Sequence, residues 1–203
     1  LGDGARNGDS LLFTAGKLGR KMIQPLSQPD QFERLASQGP IQRPSDGKAP
    51  ESVLFVQCAG SRDEEHLPYC SRICCNQAVN NSLRIKEKYP EARIDILYRD
   101  MRCYGMGELD YQRARRAGIN FIRFDPKVNP PSIEADESGI EVTVTDPSVR
   151  LPVHFRPDLL VLSTGMKPRD TEELASMLRV PRNDAGFFIE AHAKLRPVDL
   201  PSE

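Results

Sequence analysis

Tryptophan is absent from these 203 residues, histidine occurs three times and cysteine five times. His66, His154 and His192 stand beside no nucleophile in the sequence, so nothing supports hydrolytic catalysis. No apolar run approaches the length of a membrane span: the strongest in the C-terminal half is Leu159-Leu160-Val161-Leu162. No charged-plus-apolar export signal opens the chain. The formal net charge is −1, and lysine and arginine are scattered rather than massed, which removes the basic face expected of a nucleic-acid binder. A G-x-G-x-x-G turn is missing too. These absences leave a cytoplasmic protein that does not span a membrane, with enough chain for one sizeable core or two small ones. The first residue is Leu1 rather than methionine, and the sequence reads as a piece of something longer.

What is present is concentrated. Four of the five cysteines, Cys58, Cys70, Cys74 and Cys75, follow the apolar run Val53-Leu54-Phe55-Val56. Eleven residues separate Cys58 from Cys70, three separate Cys70 from Cys74, and Cys74 and Cys75 are adjacent. Thiolates this close suit a soft metal centre, and iron–sulfur clusters take four of them. The spacing fits neither the short gaps of bacterial ferredoxins nor the paired C-x-x-C of zinc ribbons. On spacing alone a cluster, a zinc site, and buried or redox-active cysteines all stay open. The stretch Ala59–Tyr69 is polar with Gly60 and Pro68, so it can loop out and return Cys70 to Cys58. Arg62 and Arg72 flank the thiols and suit an anionic centre. Cys103 follows a separate strand and is not counted as a ligand, although that strand puts it near the same sheet edge, where it could substitute for one.

The pattern along the chain predicts the scaffold. Leu11–Gly16 is a short apolar run, residues 17 to 51 are linker-like, and a short helix can start within Pro29–Leu35. From Ser52 the reading is β-α-β-α-β: strands Val53–Val56, Ile94–Tyr98 and Phe121–Phe124, with helices Asn76–Tyr89 and Glu108–Ala117, the second closed by Gly118. Continuous apolar strands predict an α/β fold, a Rossmann-like three-layer arrangement with a parallel sheet covered by helices on both faces. Alternation at Ile140, Val142 and Val144 predicts an appended antiparallel hairpin, turning at Asp146-Pro147-Ser148 and returning near Leu151–Phe155. A last helix is expected over Thr171–Leu178. In a dinucleotide-binding unit the first strand runs into a glycine-rich turn. Here Gln57-Cys58-Ala59-Gly60-Ser61 stands in that place, so the cysteines replace the phosphate-binding turn, and a reading as a pyridine-nucleotide reductase domain is weakened.

Gln57-Cys58-Ala59-Gly60-Ser61-Arg62 and Pro68-Tyr69-Cys70-Ser71-Arg72-Ile73-Cys74-Cys75 resemble the iron–sulfur motif of the heterodisulfide reductase A-subunit family and its bacterial members. The resemblance extends to Arg43–Lys48, Leu162–Gly165 and Lys194–Asp199, and covers most of residues 22 to 203. It implies a thioredoxin-reductase-like flavoprotein with two dinucleotide-binding domains. It also implies a [4Fe-4S] cluster on Cys58, Cys70, Cys74 and Cys75, with FAD in the full-length protein, and electron transfer between them toward partner subunits of heterodisulfide-reductase type and an electron donor or acceptor protein. The family's G-x-G-x-x-G and closing flavin segment are absent here, so the piece alone is expected to hold FAD weakly and to be inactive. Thr14 and Gly16, with Thr164 and Gly165, resemble the two crossings between flavin and nucleotide-type domains. The implied division is residues 1–51 as linker and edge of the flavin domain, 52–165 as the Rossmann-like domain with the cysteines and hairpin, and 166–203 as a return segment toward the flavin domain. The rival class is a zinc-binding structural or interaction module.

Overall fold

Strand β1 (Ser52–Ala59) runs through the centre of a parallel sheet. The computed structural model describes residues 40–43, 46–135, 139–193 and 195–201. Leu11–Gly16, with Thr14 and Gly16, and the short helix expected in Pro29–Leu35 lie outside them. The chain divides into two compact units, one up to Gly165 and one from Met166.

In the first unit, β1 leads to α1 (Cys74–Lys88), β2 (Arg93–Tyr98), α2 (Gly107–Arg116) and β3 (Asn120–Arg123). There follow β4 (Ser132–Ala135), β5 (Ile140–Asp146), β6 (Leu151–Phe155) and β7 (Leu159–Thr164). The parallel sheet has the order β3-β2-β1-β7. Val53 lies opposite Ile94 on one side and Leu159 on the other, and Phe55 lies opposite Ile96 and Val161.

Side chains alternate along a strand, so these apolar runs split between two cores. Val53, Phe55, Ile94, Ile96, Leu159 and Val161 pack with Ala78, Val79, Leu83 and Ile85 of α1. Leu54, Val56, Leu97, Leu160 and Leu162 pack with Ile140, Val142, Val144 and Phe155. Both faces are dry, which is why the strands read as unbroken apolar stretches.

The second cover differs from expectation. Among the described residues the helices lie on one face; the other is covered by an antiparallel sheet of order β4-β5-β6. The cause is the direction of travel. Right-handed crossovers stepping from β1 to β2 to β3 place both helices on one face, and the return from β3 past β1 to β7 runs the opposite way and crosses the other. The expected hairpin is β5 and β6, with Val144 opposite Val153. The third strand, β4, escaped notice because Ile133 is the one large apolar residue in its four. Helix α1 starts at Cys74, so Cys74 and Cys75 form its first turn. Gly118 ends the region after α2 at φ 78°, as a left-handed cap should.

The amino ends of β1 and β7 are tied by Asp158, which accepts from the Glu51 and Ser52 amides at 2.8 and 3.0 Å and from Arg43 at 3.1 Å. Arg43 also pairs with Asp46 at 2.6 Å. Arg43, Asp46 and Asp158 thus form a clamp at the end of the sheet away from the cysteines. In the second unit, α3 (Glu172–Leu178) ends at Arg179 with φ 52°.

Candidate metal centre

The site begins with a fault in β1. Gln57 pairs with Ser163 and Ala59 with Thr164, and the register skips Cys58, which sits at φ 60° in a β-bulge. A bulge turns one side chain away from the ladder, and bulges concentrate near functional sites. A non-glycine residue at positive φ costs roughly 1–2 kcal/mol. Arg62 (φ 59°) and Arg72 (φ 63°) share that conformation, so three of the five such residues among those described fall between Cys58 and Cys75. Strain that clusters in this way is held by its surroundings and marks a site.

The loop returns as the sequence suggested. Ser61 bridges to Leu67, the Asp63 amide donates to the Leu67 carbonyl at 3.1 Å, and the Arg62 amide donates to the Tyr69 carbonyl at 3.2 Å. Gly165, at the end of β7, lets the sheet edge meet this loop: a Cβ there would lie 2.8 Å from both Ser61 Cβ and Leu67 Cδ1. The close approach that demands a glycine at residue 165 is therefore to the cysteine loop. Gly107 has a similar use, since a Cβ there would collide with the side chain of Asn76, which follows Cys75.

The loop brings the four cysteines to one edge of the sheet. Cys58 is pushed up by burial and by Cys70, against the charge and hydrogen bond of Arg62 and the charge of Arg99. Cys74 is pushed up to about 11 by burial and by Cys75, Cys58 and Cys70. Cys75 is raised by burial, by Cys58 and Cys70 and by Asp100, against a hydrogen bond from the Arg102 amide. Burial is the largest cause for all three, and neighbouring cysteines add to it because they lie at the same edge. Among the described residues, no three His, Cys, Asp or Glu side chains converge closely enough to hold a metal ion as they stand. Cys103 stands apart. It is buried beside Cys75 and the acidic start of α2, and burial, Cys75, Glu108 and Asp110 push it up to about 12.

The donors around the thiols fit a negative centre. The Arg72 amide donates to Cys70 Sγ at 3.3 Å. Ile73 supplies no side-chain cap to α1, whose first turn holds no acidic residue, so the positive end of the helix faces Cys74 and Cys75 unneutralised by its own residues. Cys74 and Cys75 Sγ lie 3.7 and 3.9 Å from the carbonyls of Thr164 and Asp100.

Sequence reasoning singled out Arg62 and Arg72 but missed Arg99, Asp100 and Arg102. Asp100 pairs with Arg62 and, at 2.8 Å, with Arg102. Burial works to raise the Asp100 carboxyl, yet the hydrogen bonds from Arg102 and Arg62 win and hold it below the usual range. Arg102 also reaches Cys70. The available signal was positional: three charges directly after β2, at the carboxyl edge where open α/β sheets bind ligands. Of the four residues suggested for a flavin crossing, Thr164 and Gly165 lie at this edge, and Thr14 and Gly16 fall outside the described residues.

No family model matches the sequence. The chain is 44% identical over 167 residues to the second iron-sulfur A subunit of CoB–CoM heterodisulfide reductase of Methanopyrus kandleri, covering 79% of this chain and 25% of that protein. It is 42% identical over 163 residues to the A subunit of the H2/formate:CoB-CoM heterodisulfide, ferredoxin reductase of Methanococcus maripaludis, covering 77% and 24%. The A subunit of a ferredoxin/F420H2-dependent CoB-CoM heterodisulfide reductase of Methanosarcina acetivorans is 42% identical over 183 residues, covering 84% and 22%. The chain thus spans about a quarter of the length of the curated relatives it matches. Identity at this level over about four-fifths of the sequence places the chain in the heterodisulfide reductase A-subunit family, of which it represents a partial length.

Proposed function

We propose that Cys58, Cys70, Cys74 and Cys75 hold a [4Fe-4S] cluster and that this segment is the electron-transfer part of a flavin and iron–sulfur oxidoreductase. The observation that carries the reading is the placement of Cys58 in a bulge of β1, Cys70 on the returning loop and Cys74 and Cys75 in the first turn of α1 along one sheet edge, beside Arg62, Arg102 and the start of α1. Burial raises the thiols of Cys58, Cys74 and Cys75, and a cationic centre that takes them as thiolates offsets that cost. A cluster so bound supplies one-electron transfer.

The chain's own residues have distinct tasks. The bulge at Cys58 turns one ligand out of β1, the Ser61–Tyr69 loop carries Cys70, and the first turn of α1 contributes two ligands. Gly165 lets β7 close against the loop. Arg62 and Arg102 offset the negative charge of the thiolates, and the Arg72 amide donates to one of them, which favours the reduced form of an anionic centre.

In the full-length protein, Thr14, Gly16, Thr164 and Gly165 would lie along FAD, with residues 1–51 and 166–203 leading to and from the flavin domain. Electrons would pass between the flavin and the cluster toward partner subunits and an electron donor or acceptor protein. The relatives' names, which mention ferredoxin and iron-sulfur, support that reading over zinc.

Anaerobic reconstitution of this chain with iron and sulfide, followed by EPR of the reduced sample, tests the proposal. A cluster signal with close to four irons per chain is expected. Alanine at Cys58, Cys70, Cys74 or Cys75 should lower iron and sulfide content, and Cys103→Ala should leave both intact. Stoichiometric zinc with no cluster formation would establish the structural module instead.

A further inference from the structure

Beside the thiols, outside the carboxyl ends of β1, β2 and β3, lies an open cleft of about 520 Å³ that the proposed electron transfer does not require. Each strand or the turn after it contributes a cation: Arg62 after β1, Arg99 after β2, Arg123 as the last residue of β3, and Lys127 beyond it. Asp100 and Asp125 are the carboxylates in its wall. Four cations against two carboxylates leave two positive charges in excess, in a chain whose formal net charge is −1.

The partners of these cations set what the cleft can do. Arg99 donates to the main-chain carbonyls of Arg62 and Ser61 at 2.9 and 3.5 Å, and Arg123 Nε donates to the Arg99 carbonyl at 3.1 Å. A carbonyl fixes a guanidinium without cancelling its charge, and neither arginine is ion-paired with a carboxylate among the described residues. Arg62 shares the single carboxylate of Asp100 with Arg102. Asp125 is engaged by its own turn, accepting from the Lys127 amide at 2.9 Å. The result is a concavity within the size range of small-molecule sites, in which the Arg99 and Arg123 guanidiniums are oriented yet unneutralised. Guanidinium forks match phosphate oxygens in geometry as well as charge.

We infer that this cleft binds a dianionic phosphate group, free or as the monoester of a small molecule. None of the four cysteines lines this cleft, although Arg62 and Arg99 face both it and Cys58.

Calorimetric titration of the whole chain at constant ionic strength tests this, with inorganic phosphate as the first probe and glycerol 3-phosphate as the second. Saturable phosphate binding is expected. The exposed pair Arg123→Gln with Lys127→Gln should weaken it roughly tenfold or more, the effect of losing one or two charge-assisted hydrogen bonds. Arg116→Gln, an exposed arginine at the end of α2, should leave it unchanged, and thermal melting of each variant confirms the fold. Equal affinity for the two probes identifies the phosphate itself as the recognised group, whereas tighter monoester binding shows that the cleft walls also contact the organic part. Heats no larger than those of chloride, an affinity unmoved by the double variant, or binding of an acidic protein to this face without any phosphate binding would each overturn the inference.

Discussion

Val53–Val56 and Gln57–Cys75 are consecutive in the chain and obey different rules. The first four residues are buried, regular and paired on both sides. The next stretch breaks register at Cys58, takes positive φ at Cys58, Arg62 and Arg72, and gathers thiols and arginines. Apolar burial holds the first, at about 25 cal/mol per Å². The second is held by its neighbours against its own backbone preference. A sheet that is stable by itself can carry an edge that is not relaxed.

The largest effect tests the first half of the comparison. Phe55→Ala should cost about 3–5 kcal/mol in urea unfolding, with or without metal, because it empties a fully buried site between β2, β7 and α1. A loss that appears only in the metal-free protein would mean that the core depends on the centre.

Gly165→Val comes next and addresses the join between the two regions. Its added carbons would enter the space of Ser61 and Leu67, so reconstituted iron should fall by more than half while the melting temperature moves by only a few degrees, as expected where a loop and not a core is displaced. Unfolding of the whole domain would show that loop and sheet are one cooperative unit.

Strain in the second region makes a smaller prediction. In the metal-free protein Cys58→Gly should be more stable than Cys58→Ala by about 1 kcal/mol, because glycine occupies φ 60° without the Cβ penalty. Equal stabilities would mean that the bulge stores nothing.

Much of the first region was legible because continuous apolar runs and helix periods report burial directly. The strands around Val53, Ile94 and Phe121 and the hairpin at Ile140–Phe155 follow from side chains that meet water or do not, and the Gly118 cap from glycine's freedom at positive φ. The antiparallel cover was not legible. It depends on the direction in which the chain returns from β3 to β7, which no local pattern encodes. The four thiols stood out through chemistry and spacing, whereas Arg99, Asp100 and Arg102 did not, because their meaning comes from lying at one sheet edge with Arg62. The strain at Cys58 is likewise a property of its pairing with β7.

The smallest effect is at the far end of the sheet. Hydrogen bonds from Arg43 and from the Lys48 amide hold the Asp46 carboxyl below its usual 3.8. A carboxyl depressed in the folded state stabilises above the unfolded value, and that contribution is lost as pH falls through the folded one. Asp46→Asn should therefore lower thermal stability slightly at pH 7, and the difference should vanish as the solution is acidified below 3.8.

The central claim is that a preformed sheet carries a metal centre at its edge. Hydrogen exchange on the chain with and without the reconstituted cluster measures it most directly. Protection of Val53–Val56, Ile94–Tyr98 and Asn120–Arg123 should be the same in both states, while the amides from Ala59 to Tyr69 should exchange faster without the cluster. Loss of protection throughout all three strands in the metal-free chain would contradict the account and make the centre a structural requirement of the fold.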